Sequence, residues 1–268
     1  MDKSIVLITG STDGIGKQTA LELAALGHKI ILHGRDKIKC IKNVNQIESE
    51  TGNTEVEYVT GDFSSIYDVK KMASELLTKY DRLDIVINNA GVYMNEKVIT
   101  VDGFETTFAV NHLAPFLLTN MLLPLIRNSG SARIINVSSV AHTRAQLDWS
   151  NLNGEKKFDG YSAYALSKLA NVLFTYKLAE ILKNEVITVN ALHPGVITTK
   201  LLLTGFNIKG ASLREGAATS VYLASSPEVT NVSGKYFTKC IETQSSSESY
   251  DLNLQTVLWK KSEEFVNL

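Results

Sequence analysis

Along most of this chain, short runs of aliphatic and β-branched residues alternate with longer segments of helical period. The apolar runs fall at residues 5–9, 29–33, 55–60, 83–88, 133–137 and 186–192, with helical patterns at 17–26 and 69–79. Such alternation predicts β/α units and a parallel sheet. The runs Ile-Val-Leu-Ile, Ile-Val-Ile and Arg-Ile-Ile-Asn-Val are continuously apolar, as expected when helices cover both faces of the strands. The pattern predicts an α/β chain with a doubly wound parallel sheet. Proline is scarce and no repeat or low-complexity linker interrupts the alternation. A Ser-rich stretch at 244–249 reads as a loop before a C-terminal helical segment.

Composition narrows the function. The 268 residues, 44% hydrophobic and 21% charged, suffice for one large core, so 1–268 reads as a single domain. A net charge of −1 leaves no basic field for nucleic acid or an anionic membrane, which favours small-molecule chemistry. The first apolar segment is too brief for a signal or anchor and no later run reads as a bilayer span, so no transmembrane anchor is expected. Cys40 and Cys240 are isolated, which fits unpaired thiols in a reducing cytoplasm. The five histidines have no metal-binding spacing.

Ligands of doubly wound sheets bind beyond the carboxyl ends of the strands, so the strand exits carry the candidate chemistry. After the first strand stands Thr9-Gly10-Ser11-Thr12-Asp13-Gly14-Ile15-Gly16. Glycines there permit a tight turn and close backbone approach to a pyrophosphate, and a helix N-terminus offers free N–H groups and a positive dipole end. The alternative is a purely structural turn. The second strand ends at Gly34-Arg35-Asp36, where dinucleotide folds read the adenosine ribose. Arg35 suits a 2′-phosphate and favours NADP(H) over NAD(H). Asp36 and Asp13 are the competing readers, since a carboxylate suits a ribose hydroxyl.

In Tyr161-Ser-Ala-Tyr164-Ala-Leu-Ser-Lys168, a four-residue helical spacing puts Tyr164 and Lys168 on one face. Ionising a phenol of pKa ~10 near neutrality requires about 4 kcal/mol. A cation ~4 Å away at an effective dielectric of ~20 supplies that. The pair therefore predicts an activated tyrosine.

These motifs together resemble the short-chain dehydrogenase/reductase family, from near the first residue to about Thr238. Besides the glycine turn and Tyr164–Lys168, the chain has Gly61-Asp62, Asn88-Asn89-Ala90-Gly91, Asn111 in Val-Asn-His-Leu-Ala, Ser138-Ser139 and Pro194-Gly195, in that order. The runs Asn136-Val-Ser-Ser-Val-Ala-His142 and Gly234-Lys-Tyr-Phe237, with a long insert before Tyr164, resemble the retinol-dehydrogenase-like branch. The resemblance implies a Rossmann fold with a C-terminal extension near 239–268. It implies an oxidoreductase that passes a hydride between a nicotinamide and a small-molecule carbonyl or alcohol. Tyr164 would be general acid and base, and Ser139 rather than Ser138 would hold the substrate oxygen. Lys168 would lower the Tyr164 pKa and bond the nicotinamide ribose, and Asn111 would hold a water linking Lys168 to solvent.

Cofactor contacts carried over by resemblance are Gly10, Ser11, Thr12, Gly14, Ile15 and Gly16 at the turn, and Asp62 and Phe63 near the adenine. Asn89, Ala90 and Gly91 would shape the adenosine side, and Pro194, Gly195, Val196 and Thr198 would lie along the nicotinamide. The resemblance also implies a homodimer or homotetramer. The apolar face Leu169, Val172, Leu173 and Tyr176 suits either that contact or the core. Residues 198–213, with Leu201-Leu202-Leu203, Phe206 and Ile208 around Gly205 and Gly210, read as an apolar lid or an ordinary surface helix. Gln146, Leu147 and Trp149 are further candidates for the pocket. The rival function is a non-catalytic dinucleotide-binding regulatory or scaffold protein.

Overall fold

A computed structural model describes residues 3–206 and 208–268; Met1, Asp2, Asn207 and the side chain of Phe206 lie outside the described part. Its strands are β1 (Ile5–Ile8), β2 (Lys29–Gly34), β3 (Val56–Thr60), β4 (Ile85–Asn88), β5 (Ala132–Val137), β6 (Ile187–His193), β7 (Lys235–Thr238) and β8 (Ile241–Glu242). They form one sheet in the order β3-β2-β1-β4-β5-β6-β7-β8. Neighbours are parallel except for the terminal β7–β8 hairpin. The order reverses between β1 and β4, so the glycine turn and the Asn88–Gly91 segment meet at the switch point where such sheets bind ligands.

The helices are α1 (Gly14–Ala25), α2 (Lys37–Thr51), α3 (Ile66–Lys79), α4 (Thr106–Phe108), α5 (Ala114–Arg127), α6 (Gly160–Ile181), α7 (Lys200–Phe206), α8 (Leu213–Ser225) and α9 (Leu252–Val266). Helix α1 begins three residues before the expected Lys17, because the Asp13 carboxylate accepts from Gly14 N–H and caps it there. Likewise α3 begins at Ile66 because the Ser65 hydroxyl accepts from Asp68 N–H. Two apolar layers lie on the two faces. The larger contains α3, α5, α6 and α9, with Phe116, Leu173 and Leu258 buried in it. The smaller contains α1 and α8.

Burial bears on two of these readings. The stretch Thr106–Arg127 is long and apolar enough to cross a bilayer, but 78% of its most apolar window is buried within this larger core. Leu169, Val172, Leu173 and Tyr176 are at most 8% exposed, so the face considered for subunit pairing is core. A buried polar relay crosses the sheet beneath the site. The Asn88 amide donates to Thr119 Oγ1 (2.9 Å) and Asn136 Oδ1 (2.8 Å), and the Asn136 amide donates to Thr175 Oγ1 (2.9 Å). These bonds tie β4 to β5, although the buried Asn88 Oδ1 has no partner among the described residues.

Candidate active site

The residues after β5 separate the two serines. Ser138 is buried and its hydroxyl donates to the Lys168 carbonyl (2.7 Å). The Ser139 hydroxyl accepts from Ala141 N–H (3.2 Å), capping a 3₁₀ turn at Val140–Arg144, and hydrogen-bonds the Tyr164 phenol. Helix α6, capped by Asp159, sets Tyr164 and Lys168 side by side, with Lys168 Nζ 5.5 Å from the Tyr164 ring centroid. The ammonium donates to the Val137 carbonyl (3.1 Å).

Asn111 lies in a π-helical turn, Ala109–Leu113. Such widened turns interrupt the α-helical ladder and recur at functional sites. Its Oδ1 accepts from Val92 N–H (2.7 Å), and its amide donates to the Val92 carbonyl (3.0 Å) and Ser167 Oγ (3.0 Å). A Cβ at Gly91 would stand 3.4 Å from both Asn111 Oδ1 and Lys168 Nζ, so both side chains reach the same bare backbone. Ser139, Tyr164, Lys168 and Asn111 thus converge.

Burial works against both ionised forms. It lifts the Tyr164 phenol to about 12, although the Ser139 hydrogen bond pulls the other way. It lowers the Lys168 ammonium to about 8. This corrects the expectation that the lysine brings the phenol near neutrality. Lys168 is itself desolvated, so the cation proposed to stabilise the phenolate is disfavoured along with it.

On the cofactor side, Gly10 has φ +63°, and a Cβ there would lie 2.8 Å from Ala90 Cα. Gly14 also has positive φ at +56°, and Gly16 packs its bare face against Asn89 and the Gly10 carbonyl. The turn is thus packed against the segment after β4, and a side chain at Gly10 or Gly16 would collide with it. Ala90 and Asn89 are joined to the turn: both their N–H groups donate to Thr9 Oγ1 (3.0 Å each), and the Asn89 amide donates to the carbonyls of Thr9 (2.8 Å) and Gly10 (3.1 Å). The Ser11 side chain is buried, donating to the Ile8 carbonyl (2.8 Å) and accepting from His33 N–H (2.9 Å). Thr12 faces the bare side of Gly34, and Ile15 faces that of Gly216.

Asp36 Oδ1 accepts from Ile38 N–H (2.9 Å) and Lys39 N–H (3.1 Å), so it is the N-cap of α2. Arg35, 69% exposed, reaches Asp62 (3.7 Å). Asp62 Oδ1 accepts from Ser64 N–H (2.9 Å) and Ser64 Oγ (2.8 Å). Phe63 is buried, its ring stacked on His33 with centroids 4.3 Å apart, so that side chain belongs to the core. Thr198 lies in the turn after Pro194. Its hydroxyl donates to the Gly210 carbonyl and accepts from Gly210 N–H (2.9 Å each), closing the neck of the 198–213 segment. Ala211 N–H bonds the Val196 carbonyl (2.8 Å), and the bare face of Gly195 meets Ile197 in the turn after Pro194.

Within that segment Leu201 packs with Tyr93 and Tyr161 on the cluster of Tyr164, Ala141 and Ala165. Gly205 lies against the Tyr93 ring. Leu203 and Ile208 are exposed. Leu147 and Trp149 pack on the larger core and Gln146 is exposed, so none joins the Tyr164 cluster.

Four features escaped sequence reasoning. Tyr93 covers Tyr164, with ring centroids 5.6 Å apart. Lys200 pairs with Asp13, tying α7 to the glycine turn. His33 accepts from Gly10 N–H (3.1 Å) and donates to the Gly61 carbonyl (3.0 Å), while His142 meets the Ser139 carbonyl (2.7 Å). The two histidines stood near strand exits, the one signal that could have marked them. Among the described residues no cluster of three or more His, Cys, Asp or Glu could hold a metal.

The model of the short chain dehydrogenase family matches residues 4–205. Retinol dehydrogenase 13 of Mus musculus is 41% identical over 279 residues, covering 98% of this chain and 84% of that protein. Polyprenol dehydrogenase of Homo sapiens is 39% identical over 277 residues, covering 96% and 83%. Among solved structures, the Pseudomonas aeruginosa RhlG/NADP active-site complex matches with a TM-score of 0.72 and 27% identity, covering 87% of this chain and 93% of that one.

Proposed function

The chain belongs to the short-chain dehydrogenase family of oxidoreductases, and from that membership we propose an NADP(H)-dependent enzyme that interconverts a lipophilic carbonyl and its alcohol. One observation carries the reading: the Ser139–Tyr164 hydrogen bond stands where Lys168 and Asn111 converge, across the switch point from the glycine turn. The glycine turn leads into the N-terminus of α1, whose first N–H groups and positive dipole end suit the pyrophosphate of a dinucleotide. Bound there, the nicotinamide supplies or takes up the hydride.

The chain's own groups handle the proton. Ser139 holds the substrate oxygen, and Tyr164 donates to that oxygen as it gains negative charge in reduction, or removes its proton in oxidation. A phenol held at about 12 is fully protonated at neutral pH, which suits the donor role. Lys168, desolvated, becomes the better cation once an anionic partner lies beside it.

Arg35 is our 2′-phosphate reader. Asp36 is engaged at the α2 cap and Arg35 is exposed beside Asp62, which supports NADP(H). The solved neighbour with NADP points the same way. Tyr93, Tyr161 and Leu201 around Tyr164 support a lipophilic substrate. The relatives are named for two isoprenoid alcohols, retinol and polyprenol.

The test is the initial rate of NADPH and NADH oxidation with hexanal, benzaldehyde, citral and all-trans-retinal, comparing the native chain with Tyr164→Phe. We expect NADPH-dependent turnover that falls about 10³-fold in the variant, whose cofactor affinity is unchanged. No turnover of these four carbonyls by the native chain, with cofactor bound, overturns the lipophilic-carbonyl reading for this panel: either the substrate lies outside it or the regulatory reading gains ground. Preference for NADH overturns Arg35 as reader.

A further inference from the structure

Beyond the four residues above, the Ser139 loop has a second fastening that reaches 104 residues along the chain. The Ser139 carbonyl receives two donors from one residue, His142 N–H (3.1 Å) and His142 Nδ1–H (2.7 Å). On the opposite side of the ring, Nε2 accepts from Ser246 N–H (3.0 Å). A carbonyl only accepts and a backbone N–H only donates, so these partners require the neutral, Nδ1-protonated tautomer. His142 is 2% exposed, and its ring lies 4.9 Å from that of Tyr236, whose hydroxyl stands 3.5 Å from Nδ1.

Ser246 is itself held. Its carbonyl accepts from Ser249 N–H (3.1 Å) and Ser249 Oγ (2.6 Å), and the buried Gln255 amide donates to the Ser249 carbonyl (2.9 Å). Burial keeps the His142 imidazole below its ordinary pKa, hence neutral, as both bonds need.

We propose that His142 is a positioning residue for Ser139: the Nδ1–H that Ser246 N–H fixes on the imidazole anchors the Ser139 carbonyl, and so sets the place of the serine hydroxyl that meets the substrate oxygen. The mechanism is geometric. Ser139 has extended backbone, and its hydroxyl accepts from Ala141 N–H in the turn that its own carbonyl anchors. Tilting that carbonyl moves both the hydroxyl and its donor. Displacement of a reacting group by about 1 Å costs roughly 100-fold in rate.

The inference rests on Ser139 holding the substrate oxygen, so Ser139→Ala is the reference. It is compared with His142→Asn and His142→Leu for kcat, KM for NADPH and melting temperature, using the panel carbonyl with the highest rate. Asn and Leu are close in shape. Both remove the ring and the bond to Ser246, but only Asn can still donate to the Ser139 carbonyl. We expect His142→Leu to lower kcat by about 30-fold with KM for NADPH within about twofold, and His142→Asn to recover most of that loss.

Equal kcat in the two variants, both folded, overturns the positioning role and leaves His142 as packing. Should His142→Leu fail to fold, His142→Phe takes its place: it keeps a ring but neither donates nor accepts, and native kcat in it overturns the proposal. Full turnover in Ser139→Ala overturns the reading of Ser139 and this proposal with it. Loss in Ser139→Ala beside native kcat in His142→Leu overturns this proposal alone.

Discussion

On the β5 and α6 side of the cleft, the buried side chains of Lys168 and Asn111 are held by hydrogen bonds to backbone groups at 2.7–3.1 Å. On the glycine-turn side, Arg35 with Asp62 and Lys200 with Asp13 meet as exposed ion pairs. Moving a member of the first set strands a buried polar group, which costs about 1–3 kcal/mol. Exposed ion pairs contribute ~0–1 kcal/mol and are screened by salt. Fixed geometry therefore gathers at the proposed reacting centre, and adjustable charge at the rim, where a ligand enters and leaves.

Lys168→Met breaks this comparison most sharply. It should lower kcat by about 100-fold or more, yet stabilise the cofactor-free chain near pH 7, because it removes a cation that burial disfavours. The shift from 10.5 to about 8 corresponds to roughly 3 kcal/mol, less ~1 kcal/mol for the lost bond to Val137. Below pH about 8 the lysine is protonated in both states, so the destabilisation is complete. Between about 8 and 10.5 only the unfolded chain keeps that proton, so native stability rises with pH, and above that range the penalty is gone. Urea denaturation of both proteins at pH 7 and pH 10 should show the variant's advantage shrinking; an advantage that grows with pH would contradict it.

Arg35→Ala sharpens the other side. KM for NADPH should rise about tenfold, ~1.4 kcal/mol, while KM for NADH changes by less than about twofold. Steady-state kinetics with both cofactors would show it, and an equal change for the two would remove the 2′-phosphate from the account. The smallest effect belongs to Lys200→Ala. Its partner Asp13 is already held by the α1 cap, so stability should change by less than about 0.5 kcal/mol, and KM for NADPH by less than about threefold, with the difference vanishing at high salt. A tenfold change would mean that the α7 contact bears on cofactor binding directly.

The sheet and the glycine turn were legible because their signals are short-range. Continuous aliphatic runs mark strands covered on both faces, and four-residue spacing on α6 places Tyr164 beside Lys168 whatever the rest of the chain does. Helix starts were misjudged by three residues at α1 and α3, where capping by Asp13 and Ser65 outweighs the apolar period. The pairing face on α6 was ambiguous for the same kind of reason: period shows which residues share a side, not what covers it. Where the Thr198 and Phe63 side chains turn was not legible, because a motif position does not say which neighbour, Gly210 or His33, lies within reach.

By itself, the sequence determined the β/α alternation, the glycine turn at Gly10–Gly16, the Tyr164–Lys168 adjacency and the family to which they belong. Each depends on residues within a few positions of one another, where helix and strand geometry leave little choice. Only the tertiary structure decided which serine faces Tyr164, that Asp36 caps a helix while Arg35 stays exposed, and that His142 joins Ser139 to Ser246. Those outcomes require segments up to 104 residues apart to pack together before any hydrogen bond can form. Burial then shifts Tyr164 and Lys168 against ionisation, an effect of surroundings that no local spacing contains.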